Sequence, residues 1–127
     1  MVVGYDGAEL LDIACVTTTL AMANATGAAE PYETTVVSPG ARAIRCGTGL
    51  VLAAQAALER TTGAVDTLVV SGGVTHDRAA EDPVLVAHVR RLARQSRRVA
   101  SVCTGASHSP CPAIWTSGCV PAVVGPW

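Results

Sequence analysis

The chain has 127 residues, half of them apolar, and a formal net charge of −1 at pH 7. This length allows one domain at most, or part of one. The chain lacks Phe and is rich in Ala, Val and Leu, which suits helices packed closely on a buried sheet. All nine basic residues are Arg and they are not pooled into one stripe, so the composition argues against nucleic-acid binding by this chain.

The sequence contains no recognisable signal peptide or membrane-spanning segment. The apolar run from Leu10 to Ala25 is interrupted by Asp12 and by three Thr residues. Five cysteines, an odd number without a CxxC pair, predict free thiols in a reducing, cytoplasmic compartment. His108 and Cys111 have only loose metal-ligand spacing and nothing nearby completes a site, so we expect neither a metal nor another cofactor.

The predicted elements alternate between strands and helices. In chain order they are strand Val2–Tyr5, helix Glu9–Asn24, strand Tyr32–Ser38, paired strands Ala43–Cys46 and Leu50–Leu52, a helical turn or two within Ala53–Glu59, strand Asp66–Val70, helix Asp82–Ser96 and strand Val99–Val102.

The two long helices have apolar positions at helical spacing. Asp82 is the predicted N-cap of the second helix and Pro83 its first helical residue. The apolar positions of the first helix are Leu10, Leu11, Ala14, Leu20 and Ala21, and the predicted inward residues of the second are Val84, Val86, Val89 and Leu92.

Mostly apolar strands that alternate with helices predict an α/β fold with a parallel sheet covered on both faces. In such sheets the working groups lie at the carboxyl ends of the strands. Three segments satisfy this rule: Asp12 after the first strand, Gly72-Gly73 after the DTLVV strand, and Cys103 after the last strand.

Cys103 lies in a pattern that is typical of a nucleophile elbow. The segment Ser101-Val102-Cys103-Thr104-Gly105 reads small-x-nucleophile-x-Gly, in which small neighbours let the nucleophile protrude from a sharp strand-to-helix turn. The positive end of a following helix would favour the thiolate form. The alternative left open by the local pattern is a buried cysteine that packs as a small apolar residue.

Four segments resemble, in this order, the ThiJ/PfpI superfamily with its class I glutamine amidotransferase-like domain. They are YDGAELLDIA, VVSPG, DTLVVSGG and AAEDPVLVAHVRRLARQSRRVASVCTGA, and the resemblance covers residues 1–106. It implies a flavodoxin-like three-layer sandwich with a mostly parallel sheet, C-terminally truncated in this chain. The SVCTGA form is similar to the sensor half of GlxA-like AraC-type transcription regulators, which are nearer, and to isonitrile hydratases.

The resemblance implies roles for five residues. Cys103 matches the elbow cysteine, Asp12 the acidic residue whose carboxyl group contacts it, and Thr104 the residue after the cysteine. Gly72 and Gly73 match glycines whose backbone N–H groups face a developing oxyanion. The implied chemistry is attack by a thiolate, proton transfer by the carboxyl group and stabilisation of charge by the N–H groups. From the residues alone, a plain polar helix position for Asp12 and a plain turn at the glycines stay open.

Two departures from the family pattern bear on the pocket. Cys15-Val16 stands where family members often have Gly-Pro, so the pocket wall is expected to differ. Thr75-His76 follows Gly73-Val74 where another Gly is expected. His76 is either a pocket residue or a solvated loop histidine, and we favour the second interpretation.

The resemblance stops after Ala106, where the family continues with an amphipathic helix and a Gly-Leu-Leu-Asp-Gly turn. Residues 107–127 have no Asp, Glu, Lys or Arg, but they contain four of the seven prolines, both tryptophans and two of the five cysteines. Pro110 and Pro112 exclude a helix there. We interpret 107–127 as a non-family tail translated in a shifted frame and expect it to be disordered. Codons for Pro112 to Thr116, read from the third base of the proline codon, can encode Gly-His-Leu-Asp.

The resulting hypothesis is a truncated ligand-sensing domain of an AraC-type regulator, without turnover. Its DNA-binding domain would lie beyond this chain, so we expect no nucleic-acid or membrane partner. We expect an unidentified small-molecule ligand and pairing into a homodimer, as is usual in the family. The alternative is an isonitrile hydratase or related hydrolase that uses Cys103 and Asp12, and a third alternative is an inactive fragment that does not accumulate.

Resequencing the gene through the Ala106 codon and several hundred bases beyond tests the shifted frame. We expect a frame that restores a Leu-rich helix after the elbow. A continuation into a helix-turn-helix pair would identify a regulator, and a stop near 200 residues would favour an enzyme. The absence of any family-like frame on both strands would overturn the interpretation of the tail.

Overall fold

The computed structural model describes residues 1–106 and 122–123 of the chain. In chain order the elements are β1 (Val2–Val3), α1 (Leu10–Ala25), β2 (Val36–Ser38), β3 (Ile44–Arg45), β4 (Val51–Leu52), β5 (Ala56–Ala57), β6 (Val65–Val70), α2 (His76–Glu81), α3 (Pro83–Gln95), β7 (Ser96–Ser101) and β8 (Ala122–Val123), with 3₁₀ turns at Pro39–Ala41, Leu58–Arg60 and Cys103–Ala106.

The described strands form one parallel sheet and one small antiparallel pair. The sheet has six strands in the order β5-β2-β1-β6-β7-β8, and every neighbouring pair in it is parallel. Strands β3 and β4 pair antiparallel beside it, with Ile44 opposite Leu52. The prediction of an α/β, flavodoxin-like architecture is confirmed, as is the short strand pair around Gly47-Thr48-Gly49.

The strand order reverses between β1 and β6. From β1 the chain passes through α1 to β2 on one side, and from β6 it passes through α3 to β7 on the other. Because parallel crossovers are right-handed, the two helices lie on opposite faces of the sheet. A crevice therefore opens at the carboxyl ends of β1 and β6, where ligands bind in open α/β sheets.

The two central strands carry the core because both of their faces are covered. Val2, Val3 and Leu68 are at most 1% exposed, which explains why β1 and the second half of β6 are apolar without alternation. Other fully buried side chains come from the covering elements, namely Ile13, Ile44, Leu58 and Leu92.

The predicted start of α3 is confirmed. Asp82 Oδ1 accepts hydrogen bonds from the backbone N–H groups of Val84 and Leu85, at 2.9 and 3.1 Å, and Pro83 is in the first turn. Helix α1 is capped by Glu9, whose Oε1 accepts from the Leu11 N–H at 3.3 Å.

The predicted inner face of the second helix was wrong at Val84 and confirmed at Val89 and Leu92, whereas for the first helix only apolar positions were predicted. Val84 is 58% exposed and Leu11 is 65% exposed, whereas the buried positions of α3 are Leu85, Val89, Leu92 and Ala93. Those positions follow the i, i+4, i+7, i+8 spacing of one stripe. A shift of one residue turns a helical side chain by about 100°, so an apolar residue beside the stripe faces solvent.

The structure corrects two local predictions. The segment predicted as helical turns, Ala53–Glu59, contains β5, because Ala56 and Ala57 pair with Val37 and Ser38 of β2 and so extend the sheet. Helix α2 was missed in the sequence. It begins at His76, directly after the loop that follows β6.

Strand β7 begins three residues earlier than predicted. Arg97 and Arg98 lie in it, and both guanidinium groups bind Asp66 on the neighbouring strand β6, at 2.6 and 3.3 Å. These exposed contacts hold the polar beginning of β7 in the ladder.

Of the predicted tail, the structure describes Ala122–Val123, which pair parallel with Ala100 and Ser101 of β7. The prediction of disorder for the rest of 107–127, and the pair His108 and Cys111, lie outside the described residues. Within the described ranges, every helix is too short or too polar to span a bilayer.

Leu92→Ala should destabilise the protein by about 2–5 kcal/mol, because it removes a fully buried side chain and leaves a cavity. Leu11→Ala removes the same atoms at a 65% exposed position and should change the free energy of unfolding by no more than about 0.5 kcal/mol. Urea unfolding of both variants measures the contrast. Equal losses would contradict the assigned inner face of the two helices.

Candidate functional site

Three loops meet at the backbone of Gly72, at the carboxyl ends of β1, β6 and β7. A Cβ atom at this position would lie 2.8 Å from the Thr104 nitrogen, 2.9 Å from Asp12 Oδ2 and 2.9 Å from Cys103 Cβ. Only glycine fits there without displacing one of the three. The structure thus brings together the predicted residues Asp12, Gly72, Cys103 and Thr104. Because Asp12 Oδ2 and Cys103 Cβ each lie 2.9 Å from the same point, the two atoms are separated by no more than twice this distance.

Asp12 reaches the site from the first turn of α1. Its Oδ2 accepts a hydrogen bond from the Gly72 N–H at 3.0 Å, and the Gly72 carbonyl accepts from the Glu9 N–H at 2.9 Å. Partial burial raises the pKa of Asp12 and the charge of Glu9 adds to this, while the Gly72 hydrogen bond acts against it. The carboxyl group is therefore easier to protonate than an ordinary aspartate and can supply a proton.

Cys103 has the backbone geometry of an elbow. Its φ is +54°, a left-handed conformation that costs a residue with a Cβ about 1–3 kcal/mol, and its side chain is exposed. A Cβ at Gly105 would lie 2.9 Å from the Val70 carbonyl oxygen, so the chain after the thiol can pass closely over the end of β6 only with glycine there. The alternative of a buried, packing cysteine at position 103 does not apply.

The two N–H groups predicted to face an oxyanion both have acceptors within the chain. The Gly72 N–H donates to Asp12, and the Gly73 N–H donates to Thr104 Oγ1 at 3.1 Å. The Thr104 hydroxyl lies 3.3 Å from the Gly73 carbonyl as well, where it donates. In this arrangement an oxyanion would have to displace one of these acceptors before it could use either N–H.

Tyr5 is a site residue that sequence reasoning missed. It lies at the carboxyl end of β1 and its hydroxyl donates to the Ser71 carbonyl at 3.2 Å. Burial, with additional effects of Asp12 and Cys103, raises the pKa of Tyr5 to about 12, which places its phenol in the field of both predicted groups. The sequence did hold a signal, because Tyr5 is one of only two tyrosines in a chain without Phe and ends the predicted strand Val2–Tyr5.

His76 is not the solvated loop residue that was favoured from the sequence. It begins α2, its side chain is 21% exposed, and Nδ1 lies 3.0 Å from the Gly73 carbonyl while Nε2 lies 3.2 Å from Asp77 Oδ1. Together with Tyr5 and Thr104 it lines a small, mostly apolar cavity of about 70 Å³ beside the elbow. Formation of α2 turned this side chain inward, which a loop assignment could not anticipate.

Two positions, Cys15 and Val16, were expected from the sequence to alter the pocket wall, and neither is among the residues that line the cavity beside the elbow. Cys15 is exposed, whereas Val16 packs against the core, and Cys46 is a buried thiol whose pKa burial raises. In residues 1–106 and 122–123, no three His, Cys, Asp or Glu side chains are grouped closely enough to hold a metal ion. The functional groups that the candidate site offers are the exposed thiol of Cys103, the carboxyl group of Asp12 with its raised pKa, and the hydroxyl of Thr104.

The DJ-1/PfpI family model matches residues 1–109, and the chain belongs to this family. It is 38% identical over 106 residues to an uncharacterized protein from the cpoL 5′ region of Streptomyces lividans, an alignment that covers 84% of this chain and 73% of that protein.

Solved structures share the fold at lower identity. A THiJ/PfpI family protein from Pseudomonas syringae superposes with a TM-score of 0.68 at 19% identity, over 82% of this chain and 41% of that one. A protein of Vibrio parahaemolyticus described as a proposed transcriptional regulator gives a TM-score of 0.66 at 19% identity, over 82% of this chain and 55% of that one. Oxidized DJ-1 of Toxoplasma gondii gives 0.61 at 19% identity, over 82% and 54%. The chain thus spans about half the length, or less, of these proteins.

Asp12→Asn should change how stability depends on pH. Because the pKa of Asp12 is raised from 3.8, the folded state holds this proton more tightly than the unfolded chain does. The resulting stability is fully present below pH 3.8 and is lost as the pH rises through the raised value. The Asn variant should lack this decline in urea midpoints measured from about pH 3 to pH 7.

Asp66→Asn is the matched control with the opposite sign. The hydrogen bond from Arg97 is the largest cause that lowers the pKa of Asp66 to about 2, so its stabilising effect is present above pH 3.8 and is lost as the pH falls toward 2. The same pH profile for both variants would contradict the environment assigned to Asp12.

Proposed function

We propose that this chain is the ligand-sensing part of an AraC-family transcription regulator, and that its site binds a small molecule without turning it over. The observation that carries the proposal is the engagement of both glycine N–H groups by acceptors of the chain itself. The Gly72 N–H is bound to Asp12 and the Gly73 N–H to Thr104. A site built for acyl or hydration chemistry needs such donors aimed at developing charge.

The polar groups of the site are suited to binding a small molecule. The easily protonated carboxyl of Asp12 and the Cβ of Cys103, whose side chain is exposed, lie at Gly72, and the hydroxyl of Thr104 lies at the next glycine, Gly73. A few convergent polar groups of this kind fix the orientation of a bound molecule. The strain at Cys103 is held by the surrounding sheet, so these groups are positioned before a ligand arrives.

The regulator class is supported by two likenesses. The segment from Asp82 to Ala106 resembles the sensor half of GlxA-like AraC-type regulators most closely. The Vibrio parahaemolyticus protein with the same fold is described as a proposed transcriptional regulator. A sensor half needs binding and a stable response to it, and it needs no chemistry at the thiol.

The alternative is a cysteine-dependent hydratase or hydrolase, and one observation favours it. Cys103 combines an exposed thiol with a left-handed backbone, the arrangement of a nucleophile elbow. In that case Thr104 or Asp12 would have to release a glycine N–H when substrate binds, with Asp12 as the proton donor.

A thermal-shift screen of small polar molecules tests the binding site. Ligands of the proposed site should raise the Tm of the wild-type chain, because a ligand at about 100 times its Kd stabilises the folded state by about 2.7 kcal/mol. Cys103→Trp, which fills the site, should abolish these shifts. Met22→Trp introduces the same side chain at a 57% exposed position near the end of α1 and should retain them.

Incubation with an alkyl isonitrile, followed by NMR of the products, separates the two functions. The proposal requires that no N-formamide forms above the level of the Cys103→Ser variant. Turnover by the wild-type chain that this variant loses would replace the sensor with the enzyme. Ligand shifts that persist in Cys103→Trp would exclude the elbow as the binding site.

A further inference from the structure

A second cleft lies beside the candidate site, among the loops that follow β1, β2 and β6. Its volume is about 470 Å³, within the range of about 300–1,000 Å³ that is usual for small-molecule sites. Tyr5 lines both this cleft and the small cavity at the elbow. Cys103 and Asp12 do not line it, so its chemistry is separate from that of the thiol.

Three arginines line the cleft from three different segments. Arg42 follows the turn after β2, Arg45 ends β3 and Arg78 lies in α2. Within the described residues none of the three forms an ion pair with a carboxylate, in contrast to Arg97 and Arg98. Arg42 does act on the Glu59 carboxylate, whose pKa is lowered mainly by the Gly40 N–H and further by this arginine. Guanidinium groups that form no direct ion pair, gathered around one concave surface, favour the binding of an anion.

The two carboxylate side chains that line the cleft, Asp6 and Asp82, accept hydrogen bonds from backbone N–H groups. Asp6 Oδ1 accepts from the Arg45 N–H at 3.3 Å, and Asp82 Oδ1 accepts from the first N–H groups of α3. Three arginines against two aspartates leave one excess positive charge among the lining residues, while Glu59, outside the lining, acts on Arg42 alone of the three. The aspartates hold the walls in place and do not neutralise the arginines by direct pairing.

The cleft is fixed by contacts among its own walls. The Ser38 hydroxyl donates to the Arg42 carbonyl, and the Thr75 hydroxyl donates to the Asp6 carbonyl. Its floor includes the buried side chains of Ile44 and Leu85. A preformed pocket with a partly apolar floor and cationic walls suits an organic anion better than a solvated inorganic ion.

We propose that this cleft binds a small organic anion through a carboxylate or phosphate group held by Arg42, Arg45 and Arg78. The inference goes beyond the proposed function and does not depend on Cys103. If both sites are occupied together, the shared wall at Tyr5 places the anion next to the molecule at the elbow.

Calorimetric titration with citrate and with glycerol 2-phosphate, at constant ionic strength set by chloride, tests the proposal on the full chain. We expect at least one of the probes to bind with a Kd of about 1 mM or below. Stronger binding of citrate would identify a carboxylate as the preferred group, and stronger binding of glycerol 2-phosphate a phosphate. Arg45→Gln and Arg78→Gln should each weaken binding by about tenfold.

Three further variants serve as controls for the site of anion binding. Arg94→Gln removes an equal charge from α3, outside the cleft, and should bind the probes as the wild type does. Arg45→Lys keeps the charge and should lose less affinity than Arg45→Gln. Cys103→Ser should bind the anion normally, so failure of the thiol site and failure of the cleft are distinguishable. Binding of neither probe, or equal weakening in Arg94→Gln, would overturn the proposal.

Discussion

The approach of two segments, the start of α1 and the turn after β7, to the bare backbone of Gly72 is the contact on which the site depends. The N–H of this glycine binds Asp12, its carbonyl binds the cap of α1, and Cys103 and Thr104 lie where a Cβ would stand. The glycine sets the position of each group relative to the others. A larger residue would separate the carboxyl group from the elbow even if the rest of the sheet were unchanged.

Backbone pairing in the parallel sheet holds the residues of this contact in place. Five register pairs join β6 to β7, and the Val102 N–H continues the ladder onto the Val70 carbonyl, one residue before the strained elbow. Such regular pairing over-determines the end of β7, so the left-handed backbone of Cys103 persists. The strain and the exposed thiol are therefore consequences of strand pairing followed by a turn that Gly105 permits.

The two proposed binding sites share one edge of the sheet, and Tyr5 lines the cavities of both. One comprises Cys103, Asp12 and Thr104 around Gly72 and Gly73, and the other is the cationic cleft. The reversal of strand order between β1 and β6 creates the crevice that both use. This arrangement suits a sensor, because a molecule bound across the edge would contact loops from several strands at once.

The sequence by itself determined the α/β architecture, the cap at Asp82 and the edge to which Asp12, Gly72 and Cys103 belong, because apolar runs, caps and turn residues act locally. Tertiary structure decided what depends on distant neighbours. Strand pairing turned Ala56–Ala57 from expected helical turns into a strand, and folding of α2 moved His76 inward. It also decided that the N–H groups of Gly72 and Gly73 bind within the chain, since hydrogen-bond partners 60 and 31 residues apart leave no local signal.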